Sequence, residues 1–445
     1  MLVKPGPAMT IPTPTLPDSP SSAGPNAPVP SPIRPVRVAA TLIVVRDGAA
    51  GMEVLMLRRA EKEADQNSGA SVFPGGTVDA NDRRLHVLCL GIDDPAASLR
   101  LAVAHGLDYY IAAVRECFEE AGLLFAADAN GRIVSLDRMP EAQVAGLRLA
   151  VEGGPEALLR LCYSRGWRLA TDRLAYFSHW LTPLGMPRRF DTRFFVALAP
   201  PSQSARPDGR ETVEHMWLRP AEALDPGRGL RLMNVQRRIL EQLAGFDSAA
   251  ACIDHARGLR EVPLIMPRIA DGPAGRRPVN PGEPAYDELS RIDPDGLGHG
   301  RYALAPGLSM RLSPRVLRVT ACSGDVLVNS YYIGGERNEW VLLDACPGDE
   351  PHTAMLRAAA PGPVRWALTI PGPRDAAAVA PIDGVIDLGG CTLRAWSPSG
   401  LPAGAGAFLL EEEGLLFVRD ADQLSGLAMV GVEWLAPVSG FMRRA

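Results

Sequence analysis

The sequence predicts an α/β protein of the α+β kind, built as two folded units. Three observations lead there. Strand-like runs alternate with amphipathic helical stretches up to about residue 260, whereas from about residue 304 short strands and glycine turns dominate. Between them, residues 266–300 are rich in Pro, Gly and Asp and read as a linker. The expected division is a tail over 1–34, a first domain over 35–262 with an insertion at 83–107, a linker over 263–303 and a second domain over 304–445.

Each element has its own signal. Residues 1–34 are mostly Pro, Ser, Ala and Gly; they cannot bury enough apolar surface to fold, and a disordered tail is expected. Residues 38–45 and 52–57 read as strands joined by the turn Arg46-Asp47-Gly48. A strand end follows at Ser71-Val72-Phe73-Pro74-Gly75-Gly76. The insertion should carry a short helix of its own. Residues 109–122 are helical: Val114, Cys117, Phe118 and Ala121 recur at i, i+3, i+4 and i+7 as one buried stripe. Gly122 stands where a left-handed cap would end that helix. Helices near 140–149 and 154–163, strands at 174–181, 190–198 and 213–218, and helices near 219–225 and 232–257 complete the first domain. No short-period repeat is present.

Composition narrows the function. The 445 residues carry a net charge of −5, which gives no pull toward nucleic acid or an anionic membrane. Only Lys4 and Lys62 are lysines; arginine supplies the remaining positive charge. The seven cysteines form no CxxC pair, which suits reduced thiols. Nothing near the start has the order of a signal peptide, and no apolar run is long enough to span a bilayer. A cytoplasmic location is expected.

The chemistry concentrates in the 109–122 helix. Glu116, Glu119 and Glu120 are spaced i, i+3 and i+4 and so share one face. Like charges at that spacing cost a few tenths of a kcal/mol per pair, roughly, unless a cation offsets them. Hard carboxylate oxygens suit Mg²⁺ or Mn²⁺. Arg115 precedes Glu119 by four residues and can hold that carboxylate. A solvated acidic face is the bland alternative, and the usual one for paired glutamates. Here Arg115, three glutamates and the terminal Gly122 coincide behind a strand that ends Phe73-Pro74-Gly75-Gly76.

This segment resembles the Nudix box, G-x5-E-x7-R-E-U-x-E-E-x-G-U, with U apolar. Gly76 matches the first glycine. Arg115, Glu116, Cys117, Glu119, Glu120, Gly122 and Leu123 match the second half. Two features depart from the pattern. Asp82 occupies the early Glu position, and Asp82 to Arg115 spans 33 residues where the pattern has 8, so about 25 residues are inserted. A Phe-Pro-Gly-Gly start and a long insertion look like the Nudix branch that contains peroxisomal acyl-CoA diphosphatases. The segment Trp180-Leu181-Thr182-Pro183, then Arg188-Arg189-Phe190-Asp191-Thr192-Arg193-Phe194-Phe195, is similar to one typical of that branch. The resemblance covers about residues 36–260.

The resemblance implies an α/β/α sandwich with a mixed sheet, and an enzyme that hydrolyses a diphosphate by attack of a metal-activated water on phosphorus. Glu116, Glu119 and Glu120 are the candidate metal ligands, for Mg²⁺ or Mn²⁺. Glu116, Glu119 and Arg115 are candidate catalytic residues, with Glu211 or Glu214 as general base or further ligand; an exposed strand charge is the alternative for both. Gly75, Gly76, Arg188, Arg189 and Arg193 are candidate substrate-binding residues. Arg189 and Arg193 are equally readable as ion-pair partners of Asp191. Asp79 and Asp82 are read as turn residues, with Asp82 a weaker candidate ligand. His86, His105, His179, His215 and His255 form no ligand spacing. The implied partner is a CoA-like nucleoside diphosphate derivative. ADP-ribose, NADH or a nucleotide sugar is an alternative substrate, and a non-catalytic nucleotide sensor is the alternative outside enzymes.

The second domain resembles a metallo-β-lactamase fold. The strand-like runs 312–319, 329–334 and 340–344 look like its opening strands, and 393–404, 406–410 and 415–420 fit its second half. Its His-x-His-x-Asp-His cluster is missing: the corresponding stretch is Thr369-Ile370-Pro371-Gly372-Pro373-Arg374-Asp375-Ala376, and beyond residue 300 the only histidine is His352. Asp375 and Asp420 are candidate relics of ligand positions. No zinc is expected. Homodimerisation, covering of the Nudix site or ligand binding are the roles left open for this unit.

Overall fold

The computed structural model of the chain describes residues 35–61, 63, 68–344, 350–370, 384–396, 406–424 and 429–445. The expected tail, Lys62, Cys346, the 371–376 stretch with Asp375, and the 397–404 part of an expected strand lie outside the described residues.

Strands β1 (Val36–Gly48) and β2 (Gly51–Arg59) form a hairpin. Along β1 the side chains alternate between two cores, with Ala40, Leu42 and Val44 in one and Ile43 and Val45 in the other. Next come β3 (Ser71–Val72) and β4 (Gly75–Thr77). β3 pairs with β2, but β4 pairs with β1 at Ala39–Thr41. The sheet therefore forks between β2 and β4, and the two glycines lie in the fork.

The 83–107 stretch holds most of a 3-10 helix (Asp82–Leu88) and α1 (Asp94–Leu101). Asp93 caps α1, accepting from the Ala96 amide at 2.9 Å. Helix α2 (Gly106–Ala121) follows and starts three residues earlier than the apolar stripe suggests. The reason is tertiary: a Cβ on Gly106 would lie 2.5 Å from the Ala97 carbonyl, so only glycine lets α1 touch the start of α2.

Strand β5 (Ala126–Ala127), helices α3 (Glu141–Val151) and α4 (Pro155–Arg165), and strand β6 (Arg168–Leu169) lead to β7 (Ala175–Leu181), β8 (Arg189–Leu198) and β9 (Thr212–Leu218). β8 runs parallel to β1 from Val36↔Arg189 to Val45↔Leu198. α5 (Pro220–Leu224), α6 (Asn234–Leu243) and α7 (Ala249–Gly258) come next. The single helix expected over 232–257 is thus two. Ser248 restarts it by accepting from the Ala251 amide at 3.2 Å. With β10 (Leu264–Ile265) the mixed sheet runs β10-β7-β8-β1-β2-β3, with β4 attached to β1 and β9 to β2. α2 covers one face, while α6 and α7 cover the other.

The stretch expected as a linker is built into the structure. β10 joins the sheet beside β7, and β11 (Arg268–Ala270) pairs with β12 (Arg277–Val279). Asn280 exchanges side-chain hydrogen bonds with Asn234 of α6 at 2.8 and 3.1 Å. Helix α8 (Tyr286–Ile292) carries Glu288, which pairs with Arg318 at 2.5 and 2.9 Å; both are about 1% exposed. The stretch is thus ordered and contacts α6 on one side and Arg318 on the other.

Beyond it, β13 (Ser309–Ser313), β14 (Val316–Ser323), β15 (Val326–Gly334) and β16 (Trp340–Leu343) precede α9 (Glu350–Ala359) and β17 (Val364–Leu368). A second sheet comprises β18 (Val385–Asp387), β19 (Thr392–Trp396), β20 (Ala407–Leu410), β21 (Leu415–Val418), β22 (Trp434–Pro437) and β23 (Arg443–Arg444). The two sheets share one core, which includes Tyr331, Ile333, Val341, Phe408 and Phe417.

Candidate active site

The site is built where α2 crosses the fork. β4 brings Gly76 against the helix and Gly75 against β1, so closely that a side chain at either position would collide with its neighbour. A Cβ on Gly76 would lie 2.5 Å from both Glu116 carboxylate oxygens, and one on Gly75 would meet Thr41 and the Ala40 carbonyl. The Gly75 amide donates to Glu120 Oε2 at 2.9 Å.

Arg115 organises the other side. Its Nε donates to Asp82 Oδ1 at 3.2 Å, its Nη1 to Glu116 Oε1 at 2.7 Å and more weakly to Glu119 Oε1 at 3.5 Å, and its Nη2 to the Thr77 carbonyl at 3.0 Å. Asp82 is fully buried and also accepts from the Asp79 amide at 2.8 Å. It closes the turn with Asp79, as expected, and is in addition the buried partner of Arg115. The insertion loops out and returns, so residues 33 apart in sequence meet as a buried ion pair.

Burial dominates the electrostatics. It pushes the Glu120 carboxyl up to about 8, against the Gly75 hydrogen bond, and Glu119 up to about 7, against the charge of Arg115. It raises Asp82 to about 6 and Glu116 in the same direction. Burial works against the charge of Arg115 too, but Asp82, Glu116 and Glu119 outweigh it and keep the guanidinium protonated. Glu211 adds its charge to those felt by both Glu116 and Glu120.

The three glutamates share one ridge, but their carboxylates do not meet at a point. Glu116 and Glu119 turn to Arg115, and Glu120 turns to Gly75. As placed, no three acidic, His or Cys side chains among the described residues are gathered tightly enough to hold a metal. Each has taken the nearest donor, as mutually repelling carboxylates do. The donor set itself consists of hard oxygens with raised affinity for positive charge, and it fits a divalent cation.

The other expected site residues divide. Glu211 is exposed beside the ridge, whereas Glu214 pairs with Arg58 across β2 and β9 at 2.9 Å. The three arginines belong to β8 and the turn before it, on the opposite flank of β1. Arg193 is buried against Asp191 at 2.7 Å and over the Tyr109 ring at 4.8 Å. Arg189 donates to the Thr182 carbonyl at 3.1 Å. Both side chains are buried, with Arg193 in the expected ion pair with Asp191; of the three, Arg188 is exposed. Asp191 also takes a hydrogen bond from His179 at 2.6 Å. Burial alone would raise the Asp191 carboxyl, but His179 and Arg193 hold it below its ordinary value. Sequence reasoning missed Arg59, whose charge reaches Glu120, and Arg148, which donates to the Glu119 carbonyl at 2.8 Å. Neither stands at a motif position.

The sequence profile of the NUDT19 Nudix domain matches residues 91–228. Acyl-coenzyme A diphosphatase NUDT19 of Homo sapiens is 30% identical over 285 residues, covering 54% of this chain and 74% of that protein. The Xenopus laevis protein of the same name is 24% identical over 333 residues, covering 66% and 82%. A solved Nudix hydrolase from Alicyclobacillus acidocaldarius is 27% identical, with a TM-score of 0.42 over 49% of this chain and 96% of its own. Since three quarters of the human relative aligns at that level of identity, the chain belongs to the NUDT19 family of Nudix proteins.

Proposed function

We propose that the chain hydrolyses the diphosphate of CoA or acyl-CoA, giving 3′,5′-ADP and the phosphopantetheine portion. What carries this reading is the buried Asp82–Arg115 pair, which joins the two halves of the Nudix box across the insertion and holds Glu116, beside Gly76, and more weakly Glu119. The substrate class follows the names of the human and Xenopus laevis relatives.

In this reading Glu116, Glu119 and Glu120 hold a divalent cation, Mg²⁺ or Mn²⁺. Such a cation supplies charge neutralisation at the phosphates and makes a water more acidic. Arg115 keeps two of the carboxylates on the ridge, and the Gly75 amide orients the third. Glu211 accepts the proton of the attacking water, while the bond from phosphorus to the bridging oxygen breaks and the leaving phosphate departs with that oxygen. Gly76, with no side chain of its own, lets the Glu116 carboxylate lie directly against β4. Incubation with CoA, acyl-CoA, ADP-ribose, NADH and a nucleotide sugar, with products identified by mass, tests the proposal. Cleavage of CoA species into the two named products is expected; no turnover of any of them would overturn it.

A nucleotide sensor is the second reading, favoured by the dispersed carboxylates. Glu119→Gln separates the two: hydrolysis is lost with ligand affinity kept if the chain is an enzyme, and nothing measurable changes if it only senses.

We further propose the division into a first domain at 35–262 and a second at 304–445, the latter a metallo-β-lactamase-like unit without zinc chemistry. Its two face-to-face sheets with α9 packed outside support this. Asp420, the described member of the two relic positions, is exposed and accepts from the Asp422 amide at 3.0 Å.

A further inference from the structure

Apart from Gly122, the groups that hold the end of α2 stand at no Nudix motif position. A helix leaves its last four carbonyls without helical partners. Here the Gly122 amide meets Phe118 O at 3.0 Å, and the Arg206 amide meets Ala121 O at 2.8 Å. Thr212 Oγ1 donates to Glu120 O at 3.1 Å, and Arg148 Nη2 donates to Glu119 O at 2.8 Å. Apart from Gly122, every donor comes from α3 or from the 206–212 segment, which leads into β9 past Glu211. That segment is itself folded tightly: Asp208 Oδ1 accepts from the amides of Arg210, Glu211 and Thr212 at 2.7, 2.9 and 2.9 Å.

Arg148 ties α2 and the 206–212 segment together through one side chain, beside the direct bonds from the Arg206 amide and Thr212. Its second donor, Nη1, reaches the Pro207 carbonyl at 3.3 Å. Its Nε is buried without a hydrogen-bond partner, but the side chain as a whole is half-buried, and the charges of Asp208 and Glu152 partly offset its desolvation. The negative end of the α2 dipole and two carbonyls that a planar fork can meet together add to this.

We propose that Arg148 is a positioning residue: it clamps the Glu119–Glu120 turn of α2 to the 206–212 segment and thereby sets the ridge carboxylates against Glu211. This deepens the hydrolytic reading and rests on it.

Arg148→Met keeps the packing stem and removes the fork. Arg148→Lys offers one point donor for two carbonyls. Val151→Ala, on the same helix and fully buried but without a hydrogen bond to the α2 carbonyls, serves as a control for lost stability. Arg148→Met should lower kcat by about tenfold or more with KM little changed, and weaken Mn²⁺ binding read by paramagnetic resonance by about tenfold. Arg148→Lys should fall between Met and wild type. Amide exchange in the 116–124 peptide should quicken in Arg148→Met and stay unchanged in Val151→Ala. Wild-type Mn²⁺ affinity and exchange in Arg148→Met would overturn the proposal. If wild type neither binds Mn²⁺ nor cleaves CoA species while the exchange result holds, the clamp stands and the hydrolytic reading falls.

Discussion

A single methyl group at Gly76 separates the chemistry of this site from its stability. The added Cβ would lie 2.5 Å from both Glu116 oxygens. Ordinary carbon contacts begin near ~3.5 Å, so the carboxylate must retreat by about 1 Å. It ends a flexible side chain and can do so, and Gly76 does not have positive φ, so alanine adds no backbone strain. The stability change should stay within ~1 kcal/mol. A misplacement of about 1 Å among reacting groups can cost ~100-fold in rate, and that is the expected fall in kcat. Gly75→Ala should behave oppositely. Its Cβ would lie 2.7 Å from the Ala40 carbonyl and Thr41 Cα, which are backbone atoms of the central strand and cannot yield. Overpacking of that kind costs ~1–3 kcal/mol, read as a lower urea midpoint at unchanged slope. Steady-state turnover of an acyl-CoA beside urea unfolding decides the matter. Wild-type kcat in Gly76→Ala, or a larger stability loss there than in Gly75→Ala, would refute the reasoning.

Other consequences follow from the same geometry. Asp82→Asn breaks a buried ion pair; such losses run ~3–5 kcal/mol, and the low end is expected because Glu116 still faces Arg115 at 2.7 Å, as urea unfolding would show. Arg318→Met strands the buried Glu288 and should cost a similar ~3–5 kcal/mol, against no loss if α8 were a loose linker. The ridge carboxyls have folded values above their ordinary one, about 7 for Glu119 and about 8 for Glu120. Their protonation therefore contributes stability that is complete below about pH 4.5 and lost as pH rises through 7 to 8. Metal-free protein should melt at falling temperature across that window, and saturating Mg²⁺ should flatten the fall; a rising profile would contradict the assignment.

The legible parts of the sequence were those governed by local period or local turn chemistry. The stripe of Val114, Cys117, Phe118 and Ala121 is fully buried, and Gly122 caps α2 at φ 71° with its amide on Phe118 O. What was not legible was set by distant residues. Arg115 was matched in sequence to Glu119 at i+4, yet its closer partners are Glu116 and Asp82, the latter delivered across the insertion. Arg193 carries the same charge whether it grips phosphate or Asp191, and its pairing with Asp191 over the Tyr109 ring depends on α2 and β8 meeting, which no local pattern shows. The 263–303 stretch has the composition of a linker because its two- and three-residue strands are too short to show a period; Asn234 and Arg318 hold it in place.

Mn²⁺ titration of wild type, Glu116→Gln, Glu119→Gln and Glu120→Gln, followed by paramagnetic resonance, reads most directly whether the α2 ridge holds a divalent cation. Wild type should bind, and each substitution should weaken binding by about tenfold or more. Equal affinity in all four proteins, or no binding by wild type, would contradict the account.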